Sequence, residues 1–214
     1  MIEVIPTIIA KDFEELKEKV KKVEPYVEWV QLDIMDGRFI NNSTWNKPEE
    51  LKELETSLNL EVHLMVEKPE EVIDQWISLW VKRIIVHFES SQELKSIIDK
   101  VKSAGLEIGL AINPNTPIEV FDQYISNLDL VLIMTVEPGR GGQELIKDTL
   151  VKIKRLREAY QNVKISVDGG ISLENAPEVI SLGANILSVG SAIFKSDNIE
   201  ETINKLKQVW KLKR

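Results

Sequence analysis

Cysteine is absent from the 214 residues, which excludes disulfides and thiolate metal sites. No apolar run approaches the ~18 residues that span a bilayer. The amino terminus MIEVIPTIIA lacks the basic segment that opens a secretory leader, so a cytoplasmic protein is expected. Positive charge is the minority sign, with 27 Lys and Arg against 35 Asp and Glu and a net charge of -8. Nucleic acid and membrane surfaces, which call for clustered Lys and Arg, are therefore not expected partners. No Pro/Gly/Ser-rich linker and no shift in composition divides the chain, so residues 1–214 read as one domain. Lys/Glu runs such as KDFEELKEKVKK read as solvated helix faces.

What is present is an alternation. Short β-branched runs at 3–8, 29–34, 60–65, 83–88, 107–112, 130–135, 163–168 and 184–190 read as strands. Amphipathic helical patterns at 12–24, 47–56, 69–79, 91–103, 117–125, 143–160, 172–181 and 197–211 separate and follow them. Eight βα units within about 200 residues match a compact single-domain (β/α)8 TIM barrel better than an open doubly wound sheet, which has fewer strands at this length. No repeat of constant period supports the barrel independently.

In a barrel, alternate strand residues face the helices and the interior, and active sites gather at the carboxyl ends of the strands. In VQLDIMDG, Val30, Leu32 and Ile34 form the apolar set that should meet the helices, leaving Gln31 and Asp33 inward. The same alternation turns His63, Ser166 and Asp168 inward and adds Thr7 from the first strand. Four strands thus aim polar groups, two of them carboxylates and one an imidazole, at one end of the barrel. Buried charge without a partner costs several kcal/mol, so a substrate, a metal or a proton is needed there. His87, at the end of the fourth strand, reads as structural or as a support behind the residues that touch the ligand.

Glycines form a second constellation. EPGRGGQ (137–143) follows strand six, DGG (168–170) follows strand seven and GS (190–191) follows strand eight. Loops after strands seven and eight are where such barrels hold phosphate through backbone N–H groups. An anionic small molecule, most simply a sugar phosphate, is the expected ligand.

Over nearly its whole length the chain resembles the ribulose-phosphate 3-epimerases. The likeness is carried by PTIIAKDF (6–13), LDIMDGRF (32–39), VHLMVEKP (62–69), LIMTVEPGRGGQ (132–143), SVDGGI (166–171) and GSAIF (190–194). Related decarboxylases and hexulose-phosphate synthases carry an Asp-x-Lys-x-x-Asp signature, and Met35 stands where its lysine would be.

The resemblance implies interconversion of D-ribulose 5-phosphate and D-xylulose 5-phosphate through an enediolate, with Asp33 and Asp168 as the two acid/base carboxylates at C3. Two are needed because a single fixed base would require the planar intermediate to turn over, and a close carboxylate pair divides into one acid and one base. Met35, Met65 and Met134 would cap the enediolate. Gly139, Arg140, Gly141 and Gly142 would close as a lid, Gly169, Gly170, Gly190 and Ser191 would hold phosphate, and Thr7 and His63 would face the substrate. The runner-up readings are a 3-epimerase of a hexulose 6-phosphate such as allulose 6-phosphate, and a sugar-phosphate-binding barrel with weak catalysis.

The resemblance also implies a divalent ion (Zn, Mn, Fe, Co or Mg) on Asp33, His63 and Asp168, and a homo-oligomer, dimer or hexamer. Position 31, usually a histidine ligand in the family, is glutamine. Gln31 either joins the ion through a carbonyl oxygen, shifting preference from zinc toward manganese or magnesium, or replaces the ion by donating to the developing enediolate oxygen. Further departures are Thr7 for serine, Arg140 for an aromatic in the lid and Asn41 for proline. Of the tryptophans Trp29, Trp45, Trp76, Trp80 and Trp210, most are expected in the core.

Overall fold

A computed structural model describes residues 2–209. Eight parallel strands close on themselves in chain order: β1 (Glu3–Ile8), β2 (Trp29–Met35), β3 (Asn59–Met65), β4 (Arg83–His87), β5 (Glu107–Ile112), β6 (Leu130–Met134), β7 (Lys164–Asp168) and β8 (Ile186–Val189), with β8 pairing back to β1. Outside them lie α1 (Phe13–Val23), α2 (Ile73–Ile77), α3 (Leu94–Ser103), α4 (Leu150–Ala159), α5 (Ala176–Ser181), α6 (Ser191–Phe194) and α7 (Ile199–Gln208). The expected architecture is a TIM barrel, and the barrel is what forms. No helix among the described residues is long and apolar enough to cross a membrane.

The strand alternation sorts apolar residues into two cores. Val30, Leu32, Ile34, Val62, Leu64, Ile165 and Val167 join the layer between sheet and helices. A smaller interior cluster holds Ile5, Ile85, Ala111, Leu132 and Met134. Trp45 and Trp76 are buried and meet edge to face, with ring centroids 6.3 Å apart. Trp80 is exposed, and Trp210 lies outside the described residues, as do the last two positions of the helix expected over 197–211.

Helical boundaries differ from the sequence pattern in several places. Residues 47–56 and 117–125 form 3-10 turns, at Pro48–Glu53, Ile118–Phe121 and Ile125–Asn127. The buried pairs Leu51/Leu54 and Ile118/Phe121 sit three apart, a spacing that a 3-10 turn eclipses on one side. The helix expected from 143 begins only at Leu150, because Gln143 donates its side-chain amide to the Glu137 (2.7 Å) and Arg140 (2.9 Å) carbonyls and so belongs to the preceding loop. The pattern at 69–79 divides into a 3-10 turn (Pro69–Glu71) and α2.

The amino end of the barrel is plugged by charge that the sequence reading passed over. Arg83 donates to Glu61 at 2.5 Å and to Glu107 at 2.6 Å, with its guanidinium 4.1 Å from the Trp29 ring centroid. Burial pushes the Glu61 carboxyl above its usual range although Arg83 pulls it down, and one Glu61 oxygen has no hydrogen-bond partner among the described residues. This plug closes one end and leaves chemistry to the other.

Candidate active site

Strand register assembles the opposite end. Thr7 lies beside Gln31 across β1/β2, Asp33 beside His63 across β2/β3, and Asp168 between Met134 and Ser188 across β6, β7 and β8. The inward polar residues of these strands therefore gather in the barrel interior toward its carboxyl end. Above them opens a cleft of about 410 Å³. Thr7, Asp33, Met35, Met65, Met134, Gly139 to Gly142, Asp168 to Gly170, Gly190 and Ser191 border it. His63 and Gln31 do not border it; both are fully buried beneath the carboxylates.

Gln31 is the hub of this floor. Its amide nitrogen donates to Asp33 Oδ1 (2.7 Å) and to Asp168 Oδ2 (2.6 Å), while its carbonyl oxygen accepts from Ser188 Oγ at 3.0 Å. Ser188 is in turn 3.2 Å from Ser166 Oγ. Both amide hydrogens are spent on the carboxylates, so the 3.3 Å approach of Gln31 Nε2 to His63 Nδ1 is a contact rather than a third donation. His63 Nδ1 lies 3.2 Å from Asp33 Oδ1 and 3.7 Å from Asp168 Oδ2.

These contacts separate the acidities. Burial, followed by the negative charge of Asp33, pushes Asp168 up to about 7, against the pull of His63 and the Gln31 hydrogen bond. At His63 burial favours the neutral ring, but the Asp33 hydrogen bond and the two aspartate charges together outweigh it and raise the pKa. An inward carboxyl that titrates near neutrality beside a second aspartate is what proton transfer in both directions requires.

Ligand atoms of Asp33, His63 and Asp168 all lie within 4.8 Å of one another. Two carboxylate oxygens and an imidazole nitrogen form a donor set that suits a divalent transition ion. Gln31 fits the same set, since turning its amide offers Oε1 to the centre and Nε2 to Ser188, whose hydroxyl can accept as readily as it donates.

The loops after β7 and β8 are built around close approaches. Gly170 takes φ +67°, and a Cβ there would collide with the Leu145 backbone. A Cβ on Gly190 would lie 2.7 Å from Thr7 Oγ1, so this glycine lets the β8 loop pack on the hydroxyl of β1. The β7 loop is pinned by Thr135, whose hydroxyl donates to the Gly169 carbonyl at 2.5 Å. Over the cleft, Asn42 Nδ2 donates to the Gly139 carbonyl at 2.6 Å. Arg140 is exposed and makes no ion pair among the described residues.

Several cleft residues escaped the sequence reading: Lys19, Lys195, Gln143 and Ser188. Ser188 was accessible by the same alternation that exposed Ser166, whereas Lys19 comes from a helix and carries no strand signal. His87, expected to be structural or to support the residues of the site, stands directly behind His63. This ring lies 2.8 Å from His63 through their Nε2 atoms and 3.3 Å from Glu89 through Nδ1. Burial pushes His87 down to about 4. Glu89 sits at about 2: burial raises it, and hydrogen bonds from His87, Thr116 and the Asn113 amide outweigh that. The His-x-Glu spacing was the available signal.

Comparison with known proteins follows the geometry. Residues 3–194 match the model of the "Ribulose-phosphate 3 epimerase family". The ribulose-phosphate 3-epimerase of Bacillus subtilis is 36% identical, covering 97% of this chain and 99% of that protein. The Schizosaccharomyces pombe enzyme of the same name is 34% identical over 95% and 92%. A chloroplastic ribulose-5-phosphate-3-epimerase of Arabidopsis thaliana is 39% identical over 95% and 75%. Among solved structures, 3-hexulose-6-phosphate synthase from Salmonella typhimurium superposes with a TM-score of 0.76 at 16% identity and full coverage of both chains, a likeness of fold.

Proposed function

Because the chain belongs to the ribulose-phosphate 3-epimerase family, we propose that it interconverts D-ribulose 5-phosphate and D-xylulose 5-phosphate by proton transfer at C3. The observation that carries the mechanism is the Asp33/Asp168 pair, two carboxylates from different strands joined through one amide. One member, ionised, removes the C3 proton; the other, protonated, delivers a proton to the opposite face, and the roles exchange with reaction direction. The pKa of Asp168, raised to about 7 by burial and by the Asp33 charge, supports this division.

Met35, Met65 and Met134 cover the reacting carbons with apolar, adaptable surface that keeps water from the carbanionic intermediate. The backbone at Gly169, Gly170, Gly190 and Ser191 receives the phosphate, and Thr7 sets the approach of the β8 loop. The segment 139–142 covers the cleft, held from the β2 side by Asn42. Asp33, His63 and Asp168 would hold a divalent ion, with Gln31 as a fourth, weaker donor, and such an ion would supply electrostatic stabilisation of negative charge developing on the substrate oxygens. Oxygen-rich ligation with one imidazole favours manganese or magnesium over zinc.

A coupled assay with ribulose 5-phosphate, run beside a thermal-shift titration with the same compound, tests the activity. Turnover with saturable stabilisation is expected; stabilisation without turnover would leave a binding protein. Metal content after purification, with activity before and after chelation, tests the ion. Full turnover in a chelated, metal-free sample would overturn that part.

A further inference from the structure

Two buried imidazoles, His63 and His87, face each other through their Nε2 atoms at 2.8 Å, with an interplanar angle of 14°. Neither ring can be assigned hydrogens alone, because one hydrogen must lie between the two nitrogens. The outer end of the chain decides which ring carries it. Glu89 Oε1 accepts the Asn113 amide at 2.9 Å and the Thr116 hydroxyl, and Glu89 Oε2 faces His87 Nδ1 at 3.3 Å. A carboxylate only accepts, so His87 Nδ1 carries a hydrogen and donates. With that hydrogen on Nδ1, a neutral His87 has a bare Nε2 that accepts from His63. The shared hydrogen therefore sits on His63 Nε2, where two aspartates rather than one glutamate balance it.

We propose that His87 and Glu89 are positioning residues for His63: by accepting the His63 Nε2 hydrogen, His87 commits the His63 Nδ1 atom to the Asp33/Asp168 centre. This inference rests on the ion-binding reading of that centre for its purpose, and on hydrogen-bond geometry for its content. The arrangement is a carboxylate–imidazole relay of the kind that orients ligating histidines, lengthened by one ring. Its outer end is fastened to the barrel. Lys152 from α4 donates to the Asn113, Pro114 and Thr116 carbonyls at 3.3, 2.5 and 2.6 Å, fixing the loop that presents two donors to Glu89. Phe39 lies against the His87 ring, centroids 5.1 Å apart. Removing the acceptor would free the His63 ring to turn over and would leave its Nε2 hydrogen unpaired in a site with no exposure.

The chain has two histidines, so their ring nitrogens can be resolved by ¹⁵N NMR of the whole protein. The expected spectrum shows His87 protonated at Nδ1 and bare at Nε2, and His63 protonated at Nε2. A hydrogen on His87 Nε2 in the unsubstituted protein overturns the proposal, whether or not the protein epimerises anything. Glu89→Gln, which brings an amide nitrogen into the acceptor set, is expected to shift the His87 signals toward the other tautomer. Titration with manganese(II) alone should show affinity about 10- to 100-fold weaker in His87→Phe and Glu89→Gln, the range for lost outer partners of ligating histidines. Unchanged manganese affinity in both folded variants, or an unchanged tautomer in Glu89→Gln, also overturns it. If His87→Phe fails to fold, the spectrum of the unsubstituted protein still decides.

Discussion

Gln31 Nε2, on the second strand, lies 2.6 Å from Asp168 Oδ2, on the seventh, so a neutral amide spans the barrel mouth and ties the two proposed proton carriers together. A hydrogen bond to a charged group contributes on the order of 1.5–3 kcal/mol. Gln31→Ala should therefore lower kcat/KM by about ten- to a hundredfold, measured with ribulose 5-phosphate. In Gln31→His, where imidazole replaces the amide, zinc affinity measured by competition with a chelating dye should rise. A variant that gained no zinc would place the amide outside the ion's reach.

The metal-free protein should lose stability as pH rises above about 6.5. Asp168 is raised to about 7 and His63 is raised as well, so between their unfolded and folded values the native state binds more protons than the unfolded chain. The associated stability is complete below the unfolded pKa of Asp168 and disappears as pH climbs through the folded values. Buried His87, pushed down to about 4, has the opposite sign and offsets the Asp168 slope up to the unfolded histidine pKa of about 6.5. Melting temperatures recorded with a chelator should therefore fall above about pH 6.5, and Asp168→Asn should flatten part of that decline.

At the other end, Arg83→Met leaves Glu61 buried with no counter-charge. Breaking a buried pair by removing one partner costs about 3–5 kcal/mol. Denaturant titration should show a loss of that order, while KM for the sugar phosphate, set at the opposite mouth, stays near its original value.

Asn42→Ala removes the donor to the Gly139 carbonyl. A single hydrogen bond is worth about 1 kcal/mol, so KM should rise about fivefold with little change in kcat. Equal falls in kcat and kcat/KM would instead place Asn42 in the transition state.

Period-two alternation made most of this site readable. Once strands were assigned, Gln31, Asp33, His63, Ser166 and Asp168 were bound to face inward, and the register sets Asp33 beside His63 and Asp168 beside Ser188. Short 3-10 turns such as Pro48–Glu53 were read as helices because an i, i+3 apolar pair satisfies both patterns. Partnerships across the interior were invisible for a different reason. His87 with His63, and Arg83 with Glu61 and Glu107, depend on strand stagger, which no single strand's sequence encodes. The direction of the Gln31 amide depends on a hydroxyl 157 positions away.

The central claim is that Asp33 and Asp168 exchange the C3 proton. Ribulose 5-phosphate incubated in deuterium oxide should return xylulose 5-phosphate with deuterium at C3, followed by ¹H NMR. Asp33→Asn and Asp168→Asn should each slow that exchange by about 10²–10⁴-fold, the usual contribution of a general acid or base. Exchange at the original rate in both variants would contradict the account.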